Sequence, residues 1–369
     1  MTPVPRLQVM PPLPLELYAR RPARKLPYPL DEPACRIFGL ARQGLFMGIQ
    51  ALGLEPGNVI LVPAFNHGSE IEALVRAGID CRFYEVGRRL EPDEEELEAL
   101  LDTGVRALYL IHYLGLPQDA ARWRAWCDER GLLLIEDAAQ AWLSWHGGTP
   151  VGSHGDLAIF CLYKTFGLPE GAAVISRSPP DPPASVRQMG LDPLARRHFA
   201  YLAQRWRWAA ELRRRFKGDA NDSQEEFSPE REFGLGGPFG AYSTTRFFVN
   251  RVADPAAQKR RAANYDFLLE RLRPLVPQQF AQPPAGASPF AFPIRSDRAE
   301  ELIDRLARHS VVAGRLWPQP HPCLPHAEFP GAAVLRVETV VLPVHQELRA
   351  RDLERIVDVV YSSVRLVEG

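Results

Sequence analysis

The chain has 369 residues, of which 46% are hydrophobic, with a mean hydropathy of −0.20 and a formal net charge of −1. A chain of this size and composition can bury a sizeable core, and its length suits one large domain with a smaller one. The nearly balanced charge offers no field for nucleic acid or a membrane surface, and no run of 18 apolar residues predicts a membrane span.

The five cysteines are odd in number and lack the spacing of metal ligands, so we expect neither a disulfide framework nor a metal site. Cys81, Cys127 and Cys161 stand among apolar residues, which is typical of reduced, packed thiols. The N-terminal segment is too rich in proline for the core of a signal peptide. These features favour a cytoplasmic protein.

After an irregular, proline-rich arm at residues 1–34, short apolar strands alternate with amphipathic helices. The predicted strands are Val59–Val62, Asp80–Val86, Val105–Ile111, Leu132–Glu136, Leu157–Leu162 and Ala172–Ser176. The predicted helices are Ala41–Leu52, Ser69–Ala77 with Ser69 as N-cap, Pro92–Leu101 and Gln118–Arg130. This alternation predicts an α/β fold whose parallel or mixed sheet is covered on both faces and binds ligands at the carboxyl ends of its strands.

The second half of the chain predicts a variable insertion and a smaller α+β domain. Residues 178–183 form a proline-rich linker, 192–217 a helical stretch, and 218–240 a polar, Gly-rich segment. Helices are then predicted at Asp254–Leu272, Ala299–His309 and Arg349–Leu366, with apolar strand segments between them. We therefore expect an arm (1–34), a large domain (35–250) that contains a variable insertion (179–240), and a small domain (251–369).

One lysine stands out in this arginine-rich chain. Only four of the 44 basic residues are lysines, and Lys164 lies within the otherwise apolar stretch Leu157–Leu168. A lysine at a strand end often extends to water or pairs with a carboxylate. Burial, however, lowers the pKa of an ammonium group, and a neutral amine can attack a carbonyl, which a guanidinium cannot do.

An acidic residue precedes Lys164 at another predicted strand end. Asp137 follows the strand Leu132–Glu136, where a carboxylate can either cap the next segment or pair with a protonated ring nitrogen. Pyridoxal phosphate needs such a partner for its pyridine nitrogen. The small side chains of Ala138 and Ala139 leave room for a flat ring.

At these residues the sequence resembles a known family. The blocks IEDAAQAW, VGSHGD, FCLYK and PEGAAVIS resemble those of the DegT/StrS-type sugar aminotransferases, which are pyridoxal-phosphate enzymes of fold type I. The resemblance covers Cys35–Ile175 and, through VVLPVHQELRARDLERIVDVV, Phe290–Val364. It implies a three-layer α/β/α large domain with a mixed, mostly parallel sheet, and a small C-terminal α+β domain.

The resemblance also implies roles for individual side chains. Asp137 would face the pyridine nitrogen, Gln140 the ring hydroxyl, and Lys164 would form the Schiff base. His67 would stack on the ring, and Cys161 would stand where the family has a phosphate-binding serine.

The phosphate cradle, at a helix N-terminus, would be formed by Ala41, Arg42 and Gln43 in place of the family's Ser-Gly-Thr. Arg42 could compensate for that loss with a charge-assisted contact. The family usually places its lysine where this chain has Phe166, two residues after Lys164, whereas the spacing from Lys164 to Glu170 suits the family pattern.

By resemblance, the protein would transfer an amino group from glutamate to a nucleotide-linked keto-sugar, in the synthesis of polysaccharides or secondary-metabolite sugars. It would act as a cytoplasmic homodimer, without nucleic-acid or membrane partners. Two alternatives stay open: a pyridoxal-phosphate enzyme for a non-sugar ketone, and a catalytically degenerate protein of fold type I that binds a sugar nucleotide or a partner. A sugar dehydratase of this family would be expected to carry histidine in place of the lysine.

Overall fold

The computed structural model describes residues 5–86, 90–181, 228–237 and 239–368, with a few isolated positions between 195 and 212. The predicted helical stretch at 192–217 therefore lies largely outside the described residues, as does the first half of the polar segment 218–240.

A seven-stranded sheet forms the centre of the molecule. In spatial order its strands are Arg36–Phe38 (β2), Ala172–Ser176 (β10), Leu157–Cys161 (β9), Leu133–Asp137 (β6), Val105–Ile111 (β5), Val59–Pro63 (β3) and Asp80–Tyr84 (β4). The five strands from β9 to β4 are mutually parallel, whereas β10 runs antiparallel to both β9 and β2. The predicted mixed, mostly parallel sheet is confirmed.

Both faces of this sheet are buried. Along β9, Leu157 and Ile159 belong to one hydrophobic cluster, whereas Ala158 and Phe160 belong to another. Since successive side chains of a strand point to opposite faces, the sheet lies between two apolar layers. The helices of the N-terminal half are Ala41–Ala51 (α1), Ser69–Arg76 (α2), Glu94–Ala99 (α3), Ala120–Glu129 (α4) and the short Leu162–Phe166 (α5).

The C-terminal part adds a second core. Its helices are Pro229–Phe233 (α6), Ser243–Val252 (α7), Ala256–Leu272 (α8), Ala299–Arg308 (α9), Pro330–Glu338 (α10) and Ala350–Glu368 (α11). Its three-stranded sheet is formed by Phe292–Arg295 (β11), Thr339–Leu342 (β14) and Gly314–Arg315 (β13). The predicted division at residues 34 and 250 stays a prediction.

The N-terminal arm is more ordered than expected. Leu7–Gln8 (β1) pairs in parallel with Val311–Val312 (β12), and Leu13 and Leu17 are fully buried. The expectation of an irregular arm is wrong at these residues, because their apolar side chains contribute to two hydrophobic clusters.

One further local expectation is wrong. Ser69 is the first residue of α2 rather than its N-cap, since Gly68 takes that position with φ of 103°, a value that glycine adopts readily. Within the segment predicted to be polar and Gly-rich, α6 forms a short helix that begins at Pro229 and buries Phe233. The Phe233 ring lies against Gly68, where a larger residue would collide with it.

None of the helices in the described part of the chain combines the length and the apolar character that crossing a bilayer requires.

Candidate active site

A cavity of about 270 Å³ opens at the carboxyl ends of the parallel strands. The ends of β5, β6 and β9 form its floor, and the N-terminus of α1 forms one side. This is the place where open α/β sheets bind ligands. Seven of the eight predicted site residues line this cavity: Ala41, Arg42, His67, Asp137, Gln140, Cys161 and Lys164.

Asp137 is the last residue of β6, and both oxygens of its carboxylate accept a hydrogen bond. Oδ2 accepts a hydrogen bond from the Tyr109 hydroxyl (2.7 Å), and Oδ1 accepts one from the backbone N–H of Ala139 (2.8 Å). Burial, with a second contribution from the neighbouring carboxylate of Glu70, raises the pKa of Asp137 to about 6. A ligand that brings a positive charge to this buried acid would favour its ionised form.

Lys164 lies on α5, directly after β9, and lines the same cavity. Its Nζ is 5.9 Å from the centre of the Phe290 ring. Burial lowers the pKa of Lys164, but its acidic neighbours, chiefly Cys161, Tyr163 and Asp137, raise it, and the net shift is upward. Of these neighbours, Asp137 is the one that can carry a negative charge near neutral pH, because the pKa values of the Cys161 thiol and the Tyr163 hydroxyl are themselves raised.

The neighbouring Phe166, at the position where the family usually has its lysine, does not line the cavity. Phe166 is only 4% exposed and packs against Trp142 in an edge-on contact with ring centres 5.2 Å apart. The helical turn of α5 therefore presents Lys164 to the cavity and Phe166 to the core.

Gln140 and Cys161 complete the floor. The side-chain carbonyl of Gln140 accepts a hydrogen bond from the backbone N–H of Leu114 (2.8 Å), so its NH₂ group is the donor that it can offer to a ligand. Cys161 is buried at the end of β9, and burial raises the pKa of its thiol. A protonated thiol is a weak donor, so Cys161 can contribute only a weak contact.

Gln43 is the predicted cradle residue that does not lie at the α1 end of the cavity. The Gln43 side chain accepts a hydrogen bond from the backbone N–H of Leu40 (3.0 Å) and donates to the carbonyl oxygens of Leu235 (2.9 Å) and Gly237 (3.2 Å). It thus caps α1 and fixes the segment after α6, and it does not line the cavity.

Arg42 and His67 carry polar atoms that need a partner. Arg42 Nη1 donates to the backbone carbonyl of Glu232 (2.6 Å), and His67 Nε2 lies 3.4 Å from the Glu232 carboxylate. Arg42 Nε and His67 Nδ1 are buried, and neither finds a hydrogen-bond partner among the described residues. Such orphaned atoms are rare in folded proteins. They fit a ligand with a negatively charged end.

The sequence prediction missed several cavity residues, among them Glu70, Glu232 and Trp317. Glu70 is buried, and its carboxylate accepts a hydrogen bond from the backbone N–H of His67 (2.9 Å). Glu232 comes from α6, in the segment predicted to be polar and Gly-rich. Trp317 comes from the C-terminal part with a positive φ of 55°. The acid at the start of α2 was a detectable signal for Glu70, but no local pattern connects Trp317 with the N-terminal half.

His112 also borders the cavity, and its contacts are those of a structural residue. Its Nε2 lies 3.0 Å from the Glu136 carboxylate, and both side chains are fully buried. Its Nδ1 accepts a hydrogen bond from the backbone N–H of Gln118 (3.0 Å). Both ring nitrogens are therefore occupied within the protein.

The architecture is that of the fold-type-I α/β proteins, with an acid and a lysine at neighbouring strand ends. Residues 39–189 match the model of the DegT/DnrJ/EryC1/StrS aminotransferase family. The match confirms the family resemblance over that part of the chain.

Curated relatives match the chain over a limited length. GDP-perosamine synthase of Vibrio cholerae is 32% identical over 137 residues, which are 36% of this chain and 37% of the relative. The dTDP-4-dehydro-2,3,6-trideoxy-D-glucose 4-aminotransferase of Saccharopolyspora spinosa is 34% identical over 115 residues, 31% of this chain and 30% of the relative. The chain thus spans about a third of the length of the curated relatives that it matches.

Solved structures cover nearly the whole fold. The aminotransferase TlmJ of Streptoalloteichus hindustanus superposes with a TM-score of 0.65 at 20% identity, covering 91% of this chain and 87% of that protein. The apo form of the putative sugar aminotransferase Spr1654 of Streptococcus pneumoniae reaches 0.66 at 15% identity, covering 98% and 99%. At these identities the likeness shows the shared fold.

Proposed function

We propose that the protein is a pyridoxal-phosphate-dependent aminotransferase that transfers an amino group, from glutamate, to a nucleotide-linked keto-sugar. The observation that carries this proposal is the presence of Lys164 and Asp137 in one cavity at the carboxyl ends of parallel strands. The family match over residues 39–189 and the relatives named as sugar aminotransferases support it.

The cavity residues fit this cofactor from both ends. Asp137 would hold the pyridine nitrogen, and Gln140 would donate its NH₂ group to the ring hydroxyl. The unsatisfied nitrogens of Arg42 and His67 would face the phosphate and the ring. Pyridoxal phosphate, when bound, supplies an electron-accepting ring and an aldehyde that exchanges amines.

In this proposal Asp137 stabilises a charge and Lys164 transfers a proton. Asp137, fixed by Tyr109 and Ala139, would keep a positive charge on the ring nitrogen beside it. Lys164 would hold the cofactor through its amine. Once released, that amine would move a proton at the reacting carbon, which requires the base to lie within hydrogen-bond reach. Lys164 would have to be neutral when it binds the cofactor, because only an unprotonated amine attacks a carbonyl.

We also propose a homodimer and a cytoplasmic location. The atoms left without partners at the α1 end support the idea that a second copy of the chain completes the phosphate site. All five cysteines are free thiols, as expected of a protein in a reducing compartment. A role in polysaccharide or secondary-metabolite sugar synthesis belongs to the same proposal.

The proposal is tested by incubating purified protein and pyridoxal phosphate with glutamate and each of several GDP-, dTDP- and UDP-linked keto-sugars. We expect an amino-sugar nucleotide and 2-oxoglutarate in equal amounts, detected by mass spectrometry, with one nucleotide preferred. Reactions without glutamate serve as controls. Cofactor binding without amine transfer to any keto-sugar would contradict the assigned activity.

One observation favours a second candidate, a catalytically degenerate protein that binds a sugar nucleotide. The Gln43 side chain is bonded to Leu235 and does not line the cavity, and Cys161 lies where the family resemblance predicts a phosphate-binding serine. If a sugar nucleotide binds in the absence of pyridoxal phosphate while the cofactor itself does not bind, this candidate replaces the enzyme. Isothermal titration with each ligand alone distinguishes the two.

A further inference from the structure

A buried arginine from the C-terminal part contacts the turn that carries Lys164. Arg261, on α8, is 1% exposed. Its guanidinium donates to the backbone carbonyls of Thr165 (2.8 Å) and Lys164 (3.5 Å) and to that of Pro289 (2.8 Å). Its Nε donates to the side-chain carbonyl of Gln346 (2.7 Å). One side chain therefore connects α5 to two separate segments of the C-terminal part.

The carbonyls that Arg261 contacts are the ones that a helix end leaves without partners. α5 covers only five residues, Leu162–Phe166, and ends at Gly167. The last carbonyls of a helix have no partner within it. Gln346 donates a second hydrogen bond to the Thr165 carbonyl (3.0 Å), so two C-terminal side chains together cap the helix.

The charge of Arg261 is unusual for a residue with a purely structural task. All four of its described acceptors are neutral oxygens, and burial lowers its pKa to about 9 although the nearby carboxylate of Glu347 acts to raise it. A buried cation without a hydrogen-bonded carboxylate carries a large desolvation cost. A neutral residue would fill the same space at a lower cost, but it would not reach three backbone carbonyls at once.

We infer that Arg261 is a positioning residue for Lys164, holding with Gln346 the backbone turn that presents the lysine amine to the cavity. The inference rests on the proposed function, because the position of the amine matters only if Lys164 binds the cofactor. Residue 261 lies outside the matched region 39–189, so the family match assigns it no role. The C-terminal part would thus set the geometry of a site whose acid and amine both come from the N-terminal half.

The test compares Arg261→Lys with Arg355→Lys in the full chain. Lysine keeps the positive charge but is a point donor that cannot span the same oxygens. Arg355 is the control, because it is a partly buried arginine that also donates to a backbone carbonyl, that of Pro5, and it does not line the cavity. Three quantities are measured: the pyridoxal phosphate dissociation constant, the hydrogen exchange of a peptide containing residues 162–168, and the thermal midpoint.

We expect Arg261→Lys to weaken cofactor binding about tenfold or more and to speed amide exchange in 162–168, because a small misplacement of a reacting group has a large effect. Arg355→Lys should lower the thermal midpoint and leave both other quantities as in the wild type. Unchanged affinity and exchange in Arg261→Lys would overturn the inference.

A second variant and an adduct measurement allow the inference to be tested even if Arg261→Lys does not fold. If Arg261→Lys fails to fold, Gln346→Met removes the other cap of Thr165 and should give the same change in affinity and exchange, to a smaller extent. A wild-type affinity in that variant then overturns the inference. If the wild type itself forms no borohydride-stable adduct with pyridoxal phosphate on Lys164, the proposed function fails, whatever the Arg261 variants show.

Discussion

The two ends of the cavity differ in how completely one chain builds them. At the strand end, both oxygens of Asp137 are hydrogen-bonded, and the turn of Lys164 is capped by Arg261. At the α1 end, buried nitrogens of Arg42 and His67 find no partner among the described residues. The acid and the turn that carries the amine are thus held by contacts within the chain, whereas the α1 end keeps two buried nitrogens available for the phosphate that we propose binds there.

The largest effect is expected at the strand end, from Lys164→Ala. Removal of the amine should lower amine transfer by about a thousandfold or more, since general acid–base groups contribute about 10²–10⁴-fold. Lys259→Ala, at an exposed lysine on α8, is the matched control and should retain full activity. A Lys164→Ala enzyme with wild-type turnover would remove the amine from its assigned role.

The register of α5 provides a sharper version of this test. In the double variant Lys164→Ala, Phe166→Lys, the lysine returns to the position usual for the family. We expect no recovery of activity and a loss of about 3–5 kcal/mol of stability, because residue 166 faces the core beside Trp142. Recovered amine transfer, measured by product formation, would show that residue 166 can reach the cavity.

Asp137→Asn should have the next largest effect. Asparagine keeps the shape but cannot balance a charged ring nitrogen, so we expect turnover to fall about a hundredfold, in the range measured for lost electrostatic stabilisation of a transition state. Steady-state kinetics, with the cofactor dissociation constant measured separately, distinguish this from weaker binding. An unaffected turnover would reject the pairing with the ring nitrogen.

At the α1 end the effects should be smaller and should separate two neighbouring residues. Arg42→Gln should weaken cofactor binding by about tenfold, because a charge-assisted hydrogen bond contributes about 1.5–3 kcal/mol. Gln43→Ala should leave cofactor binding unchanged and lower the free energy of unfolding by about 1–3 kcal/mol, because it leaves the backbone groups of Leu40 and Leu235 unpaired. Weaker cofactor binding in Gln43→Ala would show that this residue contributes to the cradle.

The smallest effect expected is the pH dependence of the cofactor-free protein. Because the folded pKa of Asp137 is about 6, above its ordinary value of 3.8, the folded protein binds the proton more tightly than the unfolded chain does. This contribution is complete below about pH 4 and is lost as the pH rises through about 6. Urea unfolding from pH 4 to 7 should therefore show a shallower fall for Asp137→Asn than for the wild type. Equal slopes would contradict the raised pKa.

The same contrast explains what the sequence could predict. The strands Val105–Ile111 and Ala172–Ser176 have the predicted bounds, because apolar runs of this length suit a sheet that is buried on both faces. The fold class follows from such runs, and seven of the eight site residues predicted from the strand ends and from the family resemblance line the cavity.

Residues that depend on tertiary contacts could not be predicted in this way. Gln43 caps α1 because Leu235 and Gly237 lie beside it, and Trp317 enters the cavity from a distant segment. The pKa of Lys164 likewise depends on tertiary contacts, because burial lowers it while the neighbouring carboxylate of Asp137 raises it. The α1 end is built by more long-range contacts, so the sequence describes it less completely.

In the proposed function, the amine of Lys164 holds the cofactor. Borohydride reduction of the protein with pyridoxal phosphate, followed by peptide mapping, tests it most directly, because the chain offers only four lysines. We expect one adduct, on the peptide that contains Lys164, and none in Lys164→Ala. An adduct on Lys25, Lys217 or Lys259 instead, or a wild type that forms none, would contradict it.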